Sequence, residues 1–163
     1  MAMTREERDR LVASYRAGAD VFAAAMADVT DAELDLRPID GEWTVREIAH
    51  HLADGELNSA VRLRRLIAED EPVLPGYDEM AFVRRLHVTR RPIATSIAAA
   101  SAARASTLTI LETLTEDEWA RTGTHTEHGA YSVEAWLRDY ATHPAEHADQ
   151  ARRVLAAIRG GAG

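Results

Sequence analysis

The sequence predicts an all-α fold, a four-helix bundle with extra short helices. Two observations carry this. No stretch shows the apolar–polar alternation of a half-buried strand over a useful length. A helix-start signal recurs instead, Thr followed three residues later by Glu, at Thr4/Glu7, Thr30/Glu33, Thr44/Glu47 and Thr115/Glu118. In such a capping box the two side chains satisfy backbone N–H groups that the first helical turn leaves without partners.

Four long helices follow. The first is expected over roughly 4–28 and the second over roughly 44–69. At the second, Trp43 precedes the cap and Ile48 stands at the fourth helical position, the spacing of a hydrophobic staple, so Trp43 is read as fixing the entry to this helix. The third spans roughly 92–114, with Pro92 in its first turn, where a missing N–H costs little. The fourth runs from a Ser132 cap to about 158 and stops before Gly160-Gly161. Between the second and third, EDEPVLPGYDE is turn-rich and 78–89 forms a short helix; RTGTHTEHGAY reads as a loop before the last helix. Short connections between amphipathic helices favour a bundle. No linker, composition break or internal repeat divides residues 1–163, so one domain is expected.

Bulk composition narrows the function classes. The chain has 163 residues, 46% hydrophobic and 28% charged, as in an ordinary soluble globular protein. With no cysteine, disulfides, thiolate zinc sites and thiol nucleophiles are excluded, so a metal would rely on His, Asp or Glu. MAMTREERDR lacks the apolar core of a secretory signal. The run IATSIAAASAA is short, contains Ser and Thr, and is flanked by Arg91 and Arg104, which falls short of a membrane span. A cytoplasmic location is the default, with no membrane partner. A net charge of −8 and no long basic run argue against nucleic acid, whose phosphates need Lys and Arg.

The histidines point to chemistry. His143 and His147 form an H-x-x-x-H pair within the fourth helix, and two imidazoles at i and i+4 face the same way. A third imidazole from a neighbouring helix would complete a three-nitrogen site with an open position, the arrangement of a catalytic divalent metal. Helical phase tests the idea at about 100° per residue. With His147 at zero, Val133, Trp136, Tyr140, His143, Ala151, Val154 and Ile158 fall within about 40°, so both histidines lie on the apolar stripe. In the second helix, Val45, Ile48, Leu52, Gly55, Ser59, Leu63 and Leu66 make the main stripe. His51 sits at its edge beside Asn58 and Arg62, while His50 points almost the opposite way. Periodicity therefore prefers His51 as the inward ligand. Against this stands the usual fate of a single inward histidine, a hydrogen-bonded core residue. Ala53, Leu57, Ala60 and Val61 form a weaker second apolar face that could pack on another helix or on a second copy in a homodimer. Pro144 removes the N–H that would bond the Tyr140 carbonyl and could bend the fourth helix.

The pattern W-[ST]-x5-H-H-L-A-D-x-E from Trp43 to Glu56, followed by H-x3-H near the C-terminus, resembles the DinB/YfiT-like superfamily. Tyr77-Asp78-Glu79, the Leu-Thr-x3-Trp stretch at 114–119, Gly129 to Ser132 and Tyr140 to Gln150 extend the resemblance over nearly the whole chain. It implies a metal-binding four-helix bundle with a non-sequential helix order. It implies that His51, His143 and His147 hold the metal, matching the phase argument. Members include bacillithiol and mycothiol-dependent S-transferases. The expected function is divalent-metal-dependent transfer of a low-molecular-weight thiol to small electrophiles, in detoxification or stress. Imidazole suits zinc, nickel, iron and copper, with zinc or nickel expected first.

A metal-water hydrolase is the alternative, and it needs a general base. Asp54, one turn after His51, could be that base or an outer partner of the site. Glu47 is better explained by its capping box. Asn58 and Arg62 flank His51 and could line the pocket of a small-molecule substrate. Arg62 could bind a carboxylate there, with a surface salt bridge as the competing role. A noncatalytic metal- or ligand-binding bundle is the third reading, though a structural metal would want a fourth protein ligand. His125 and His128 are read as exposed loop residues rather than ligands, and His87 as surface.

Overall fold

The computed structural model describes residues 3–161. Its helices are α1 (Arg5–Met26), α2 (Val45–Ala68), α3 (Glu79–Arg85), α4 (Ile93–Leu111), α5 (Glu116–Trp119), α6 (Val133–Ala141) and α7 (His143–Gly160), with a 3₁₀ turn at Val88–Arg90. No helix among the described residues is long and apolar enough to cross a membrane. The Thr44 and Thr115 capping boxes both close, starting α2 and α5. Thr4 caps α1 by accepting from the Glu7 N–H. The Thr30/Glu33 pair forms its hydrogen bonds but opens only a turn, ahead of Leu34 in the core.

Two expectations are corrected. The segment read as a loop is a hairpin, β2 (Thr122–His125) and β3 (Gly129–Ser132), with β1 (Val73–Leu74) parallel to β2. His125 pairs with Gly129 across a three-residue turn, and Gly129 adopts φ +74°, the left-handed position such turns ask of glycine. The expected fourth helix is two helices, α6 and α7, parted at Thr142 just before Pro144. A proline near a helix start is tolerated because the N–H it lacks would have been unpartnered. The carbonyl that it frees at Tyr140 accepts instead from Arg104 Nη1 at 3.1 Å.

α1 packs on α4, α6 and α7, and α2 packs on α4, α6 and α7. The first two long helices therefore occupy opposite corners of the bundle rather than neighbouring ones. The core splits into two apolar clusters. One holds Phe22, Ile48, Leu52, Ala100, Ala151 and Val154; the other holds Tyr15, Leu63, Leu66, Leu111, Trp136 and Leu137. Between them every long helix contributes polar or small residues: Gly18 on α1, Asp54, Glu56, Ser59 and Arg62 on α2, Arg104 on α4, and Thr142, His143 and His147 at the α6–α7 junction. This polar belt crosses the middle of the bundle. Buried polar groups persist only when partnered, so the belt is where function is sought. Outside it, Ala53 and Ala60 of the second apolar face of α2 are buried, while Leu57 and Val61 are 48% and 57% exposed.

Candidate metal centre and its pocket

α2 carries His51 into the belt, and α7 brings His143 and His147 on successive turns. Ligand-capable atoms of the three lie within 4.8 Å of one another. Nε2 of His143 and Nε2 of His147 are 3.2 Å apart. That separation matches the edge of a tetrahedron built on metal–nitrogen bonds of about 2.0–2.1 Å, roughly 3.3 Å.

The outer partners fix which nitrogen faces inward. Gln150 donates from Nε2 to a Glu42 carboxylate oxygen at 2.9 Å, which turns its Oε1 toward His147. Nδ1–H of His147 then donates to that oxygen at 2.9 Å. Glu56 Oε1 accepts from His143 Nδ1 at 3.3 Å. Both Nε2 atoms thus keep lone pairs for a metal, and the outer acceptors raise their basicity. Burial, with the other two histidines beside it, pushes the His51 pKa down to about 3. Burial and then His143 lower that of His147. Neutral imidazoles with convergent lone pairs suit a divalent cation.

Trp43, expected only as a staple, is also a wall of the site. Its ring meets His51 edge-on at 4.5 Å and stacks parallel to His147 at 6.4 Å. Glu79, from the first turn of α3, places Oε2 4.0 Å from His51 Nδ1. Burial raises its pKa; His143 opposes that shift and Glu127 adds to it.

A pocket of about 250 Å³ opens beside His143, lined by Gly55, Arg62, Tyr77, Glu79, His125 and Tyr140 among others. Gly55 matters for close approach, since a Cβ there would lie 3.0 Å from His143 Cε1 and 3.5 Å from the Tyr77 hydroxyl. Gly55→Ala should leave stability unchanged or raise it, because alanine is favoured in a helix by up to about 1 kcal/mol. The displaced His143 ring should weaken metal binding about tenfold. Parallel melting curves and metal titrations would show the two effects moving apart; equal metal affinity would mean that this close approach is unimportant. A larger groove of about 390 Å³ lies between α1 and the end of α4, far from the histidines. Its Arg8 and Arg16 are already paired with Glu116 and Glu112.

The other expected site residues take different places. Asp54 is buried, and among the described residues its Oδ2 has no hydrogen-bond partner and no hydrogen bond joins it to the triad. Burial raises its pKa, with Arg91 opposing. Asn58 turns back along α2 to donate to the Asp54 carbonyl and does not line the pocket. Arg62 does line it, and forms no surface ion pair among the described residues. Glu47 closes its capping box and pairs with Arg37. His87 is exposed. His50 points away from the triad yet is fully buried, at 2.7 Å from Ser96 Oγ on α4. His125, expected to be exposed, is buried and lines the pocket, stacked on the exposed His128. Glu56, Glu79, Gln150 and Tyr140 were not singled out individually by the sequence reading. Each stands in the motif segments that carry the resemblance, which was the one signal available for them.

Several known proteins are similar to this chain. A protein of Oceanobacillus iheyensis named "Putative metal-dependent hydrolase" is 33% identical over 120 residues, covering 74% of this chain and 69% of its own. "Putative metal-dependent hydrolase YfiT" of Bacillus subtilis is 28% identical over 120 residues, covering 74% and 67%. The structure of YfiT, described as a probable metal-dependent hydrolase with an unusual four-helix bundle topology, superposes with a TM-score of 0.89 at 26% identity, over 98% of this chain and 91% of that one. A second four-helix bundle, TT2238, superposes with a TM-score of 0.62 at 25% identity, over 90% and 98%. The sequence pattern of the DinB superfamily matches residues 14–151, and this chain belongs to that superfamily.

Proposed function

We propose that this protein is a metal-dependent hydrolase of small molecules, with His51, His143 and His147 as the metal ligands and Glu79 as the general base. The observation that carries the reading is the Glu79 carboxylate 4.0 Å from His51, on the wall of the pocket that opens beside the triad. The names of the relatives support the same reaction class. A divalent metal bound there supplies Lewis acidity and lowers the pKa of a water or thiol in its open position. Glu79 takes the nucleophile's proton, and partial burial raises its pKa above the ordinary carboxylate value, which favours it as a base. Trp43 covers the histidines on one side and limits water there.

Transfer of a low-molecular-weight thiol is the second reading, supported by the thiol-transferase members that the motifs resemble. The two differ in how much they need Glu79. Water requires a base, whereas a free thiol ionises near pH 8.5 and is readily deprotonated beside a metal. Glu79→Gln should therefore lower metal-dependent ester or amide hydrolysis by about 10²–10⁴-fold while leaving metal content unchanged. Displacement of halide from an activated haloarene by a thiol should fall much less. Zinc- and nickel-loaded protein would be assayed on both substrate types. Hydrolysis that survives Glu79→Gln would rule out the base assignment, and turnover only in the presence of a small thiol would favour the second reading.

A further inference from the structure

Arg62 is a buried cation without a counter-ion. It is 8% exposed, and it forms no ion pair with a carboxylate among the described residues. Its guanidinium donates from Nη1 to the Tyr140 hydroxyl and from Nη2 to the Pro75 carbonyl, both at 2.7 Å, and lies 5.9 Å from the Tyr77 ring centre. Both acceptors are neutral. Five N–H donors are available on an arginine, so these two bonds hold the plane in place and leave others unused. Burying a charge without pairing it is costly.

The carboxylates that line the pocket do not relieve that cost, because among the described residues none comes within ion-pair distance of the guanidinium. Asp139 accepts from the Tyr131 hydroxyl at 2.5 Å. Glu79 faces His51. Glu127 lies across Gly76, in the space a side chain there would fill. Other donors line the same pocket. Tyr140, having accepted from Arg62, keeps its own O–H proton. His125 accepts the Glu127 backbone N–H at Nδ1 (3.2 Å), so its neutral ring carries the remaining proton on Nε2. No protein group takes either proton among the described residues. Burial, with Arg62 next in effect, keeps His125 neutral by lowering its pKa.

We propose that Arg62, Tyr140 and His125 form an anion subsite, and that the substrate is a small molecule carrying a carboxylate on the side of its reacting group away from the metal centre. Arginine held in a fixed plane is the side chain that reads a carboxylate with two parallel hydrogen bonds. His143 lines the same pocket, so an acid anchored on Arg62 presents its neighbouring atoms to the triad. The position of the reacting group rests on the hydrolase reading above; the anion subsite itself does not, because no metal is needed to form it.

The test uses metal-free protein, stripped with the neutral chelator phenanthroline and then freed of it. Benzoate and its neutral counterpart benzamide are titrated calorimetrically against wild type, Arg62→Gln, Arg62→Lys and His125→Phe, each checked for fold by circular dichroism. Benzoate should bind saturably. Benzamide should bind at least tenfold more weakly, and Arg62→Gln should weaken benzoate at least tenfold without changing the response to benzamide. Arg62→Lys should recover part of the loss, and His125→Phe should lose several-fold. If Arg62→Gln fails to fold, the Arg62→Lys and His125→Phe losses carry the test. Equal binding of benzoate and benzamide overturns the subsite. So does benzoate binding seen only after metal is restored, which would make the metal the anion's partner. Metal content is measured separately, so a protein that binds benzoate but no metal would refute the hydrolase reading and leave this one standing.

Discussion

His147→Ala should abolish stable metal binding while the protein remains folded. The wild-type site offers three neutral nitrogens, two of them facing each other at 3.2 Å. Without His147 one of that facing pair is gone, along with the ring that Gln150 and Glu42 orient. Loss of a single outer partner costs metal affinity about 10–100-fold, and loss of a ligand should cost more. Folding should suffer little. The apolar clusters on either side of the belt do not include the triad, and an empty site gains from removing one of three desolvated imidazoles. A change of about 1 kcal/mol in the metal-free protein is expected. Metal at a thousandfold excess over its dissociation constant stabilises wild type by about 4 kcal/mol. For a chain of this length that is a rise in Tm of roughly 8–16 °C. His147→Ala should show almost none of it. Melting with and without zinc or nickel, with elemental analysis, checks both halves. A variant that keeps its metal would exclude His147 as a ligand. Metal-free wild type that cannot fold would make the ion structural, contrary to the open three-nitrogen site.

The parts of this site that the sequence made legible are those with a local or periodic signature. α1, α2 and α4 begin within a residue or so of their expected starts, because the Thr4 and Thr44 caps and the Pro92 start act within one turn. Phase sets His51 and His50 on different faces, since adjacent residues on a helix point about 100° apart, and the structure brings His51 alone of the two beside His143 and His147. It does not tell what lies on the other side. α2 is buried on most of its circumference, so the face opposite the triad meets Ser96 of α4. The hairpin was invisible for a physical reason. Of its eight strand residues only His125 and Tyr131 are buried, so no apolar alternation marks it, and backbone pairing with β1 and the turn at Gly129 define it instead. Pro144 signals a bend in the sequence, but the break there is compensated by Arg104, a residue on another helix. Glu56, Glu79 and Gln150 share this difficulty. A charged or amide side chain at the margin of a stripe reads as solvated until the partner that buries it is known.

Glu56→Leu should be among the most destabilising substitutions in the chain. Glu56 and Arg104 form an ion pair at 2.7 Å with side chains 0% and 3% exposed, in the belt between the two apolar clusters. Arg104 also donates to the Tyr15 carbonyl from Nε and Nη2, at 3.2 and 2.8 Å, and to the Tyr140 carbonyl that Pro144 leaves free. Gly18 makes room for it: a Cβ there would lie 2.9 Å from Arg104 Nη2 and 3.0 Å from Pro144 Cγ. One guanidinium thus ties α1, α2 and the α6–α7 junction to α4. Removing Glu56 leaves it charged, buried and unpaired, which typically costs about 3–5 kcal/mol, or roughly 6–20 °C in Tm. Replacing both residues by methionine should recover much of that, because a buried pair contributes little beyond an apolar substitute of similar volume. Recovery should be incomplete, since the Tyr15 and Tyr140 carbonyls lose their donor. A double-mutant cycle measures the coupling, and additive losses would mean that the pair does not act as a unit. Glu56 also holds His143 through Nδ1, so every Glu56 variant without an acceptor should lose metal affinity as well as stability. His147→Ala loses metal alone. The contrast follows from position: Gln150 and Glu42, which orient His147, are only partly buried, whereas the support of His143 is the central ion pair of the bundle.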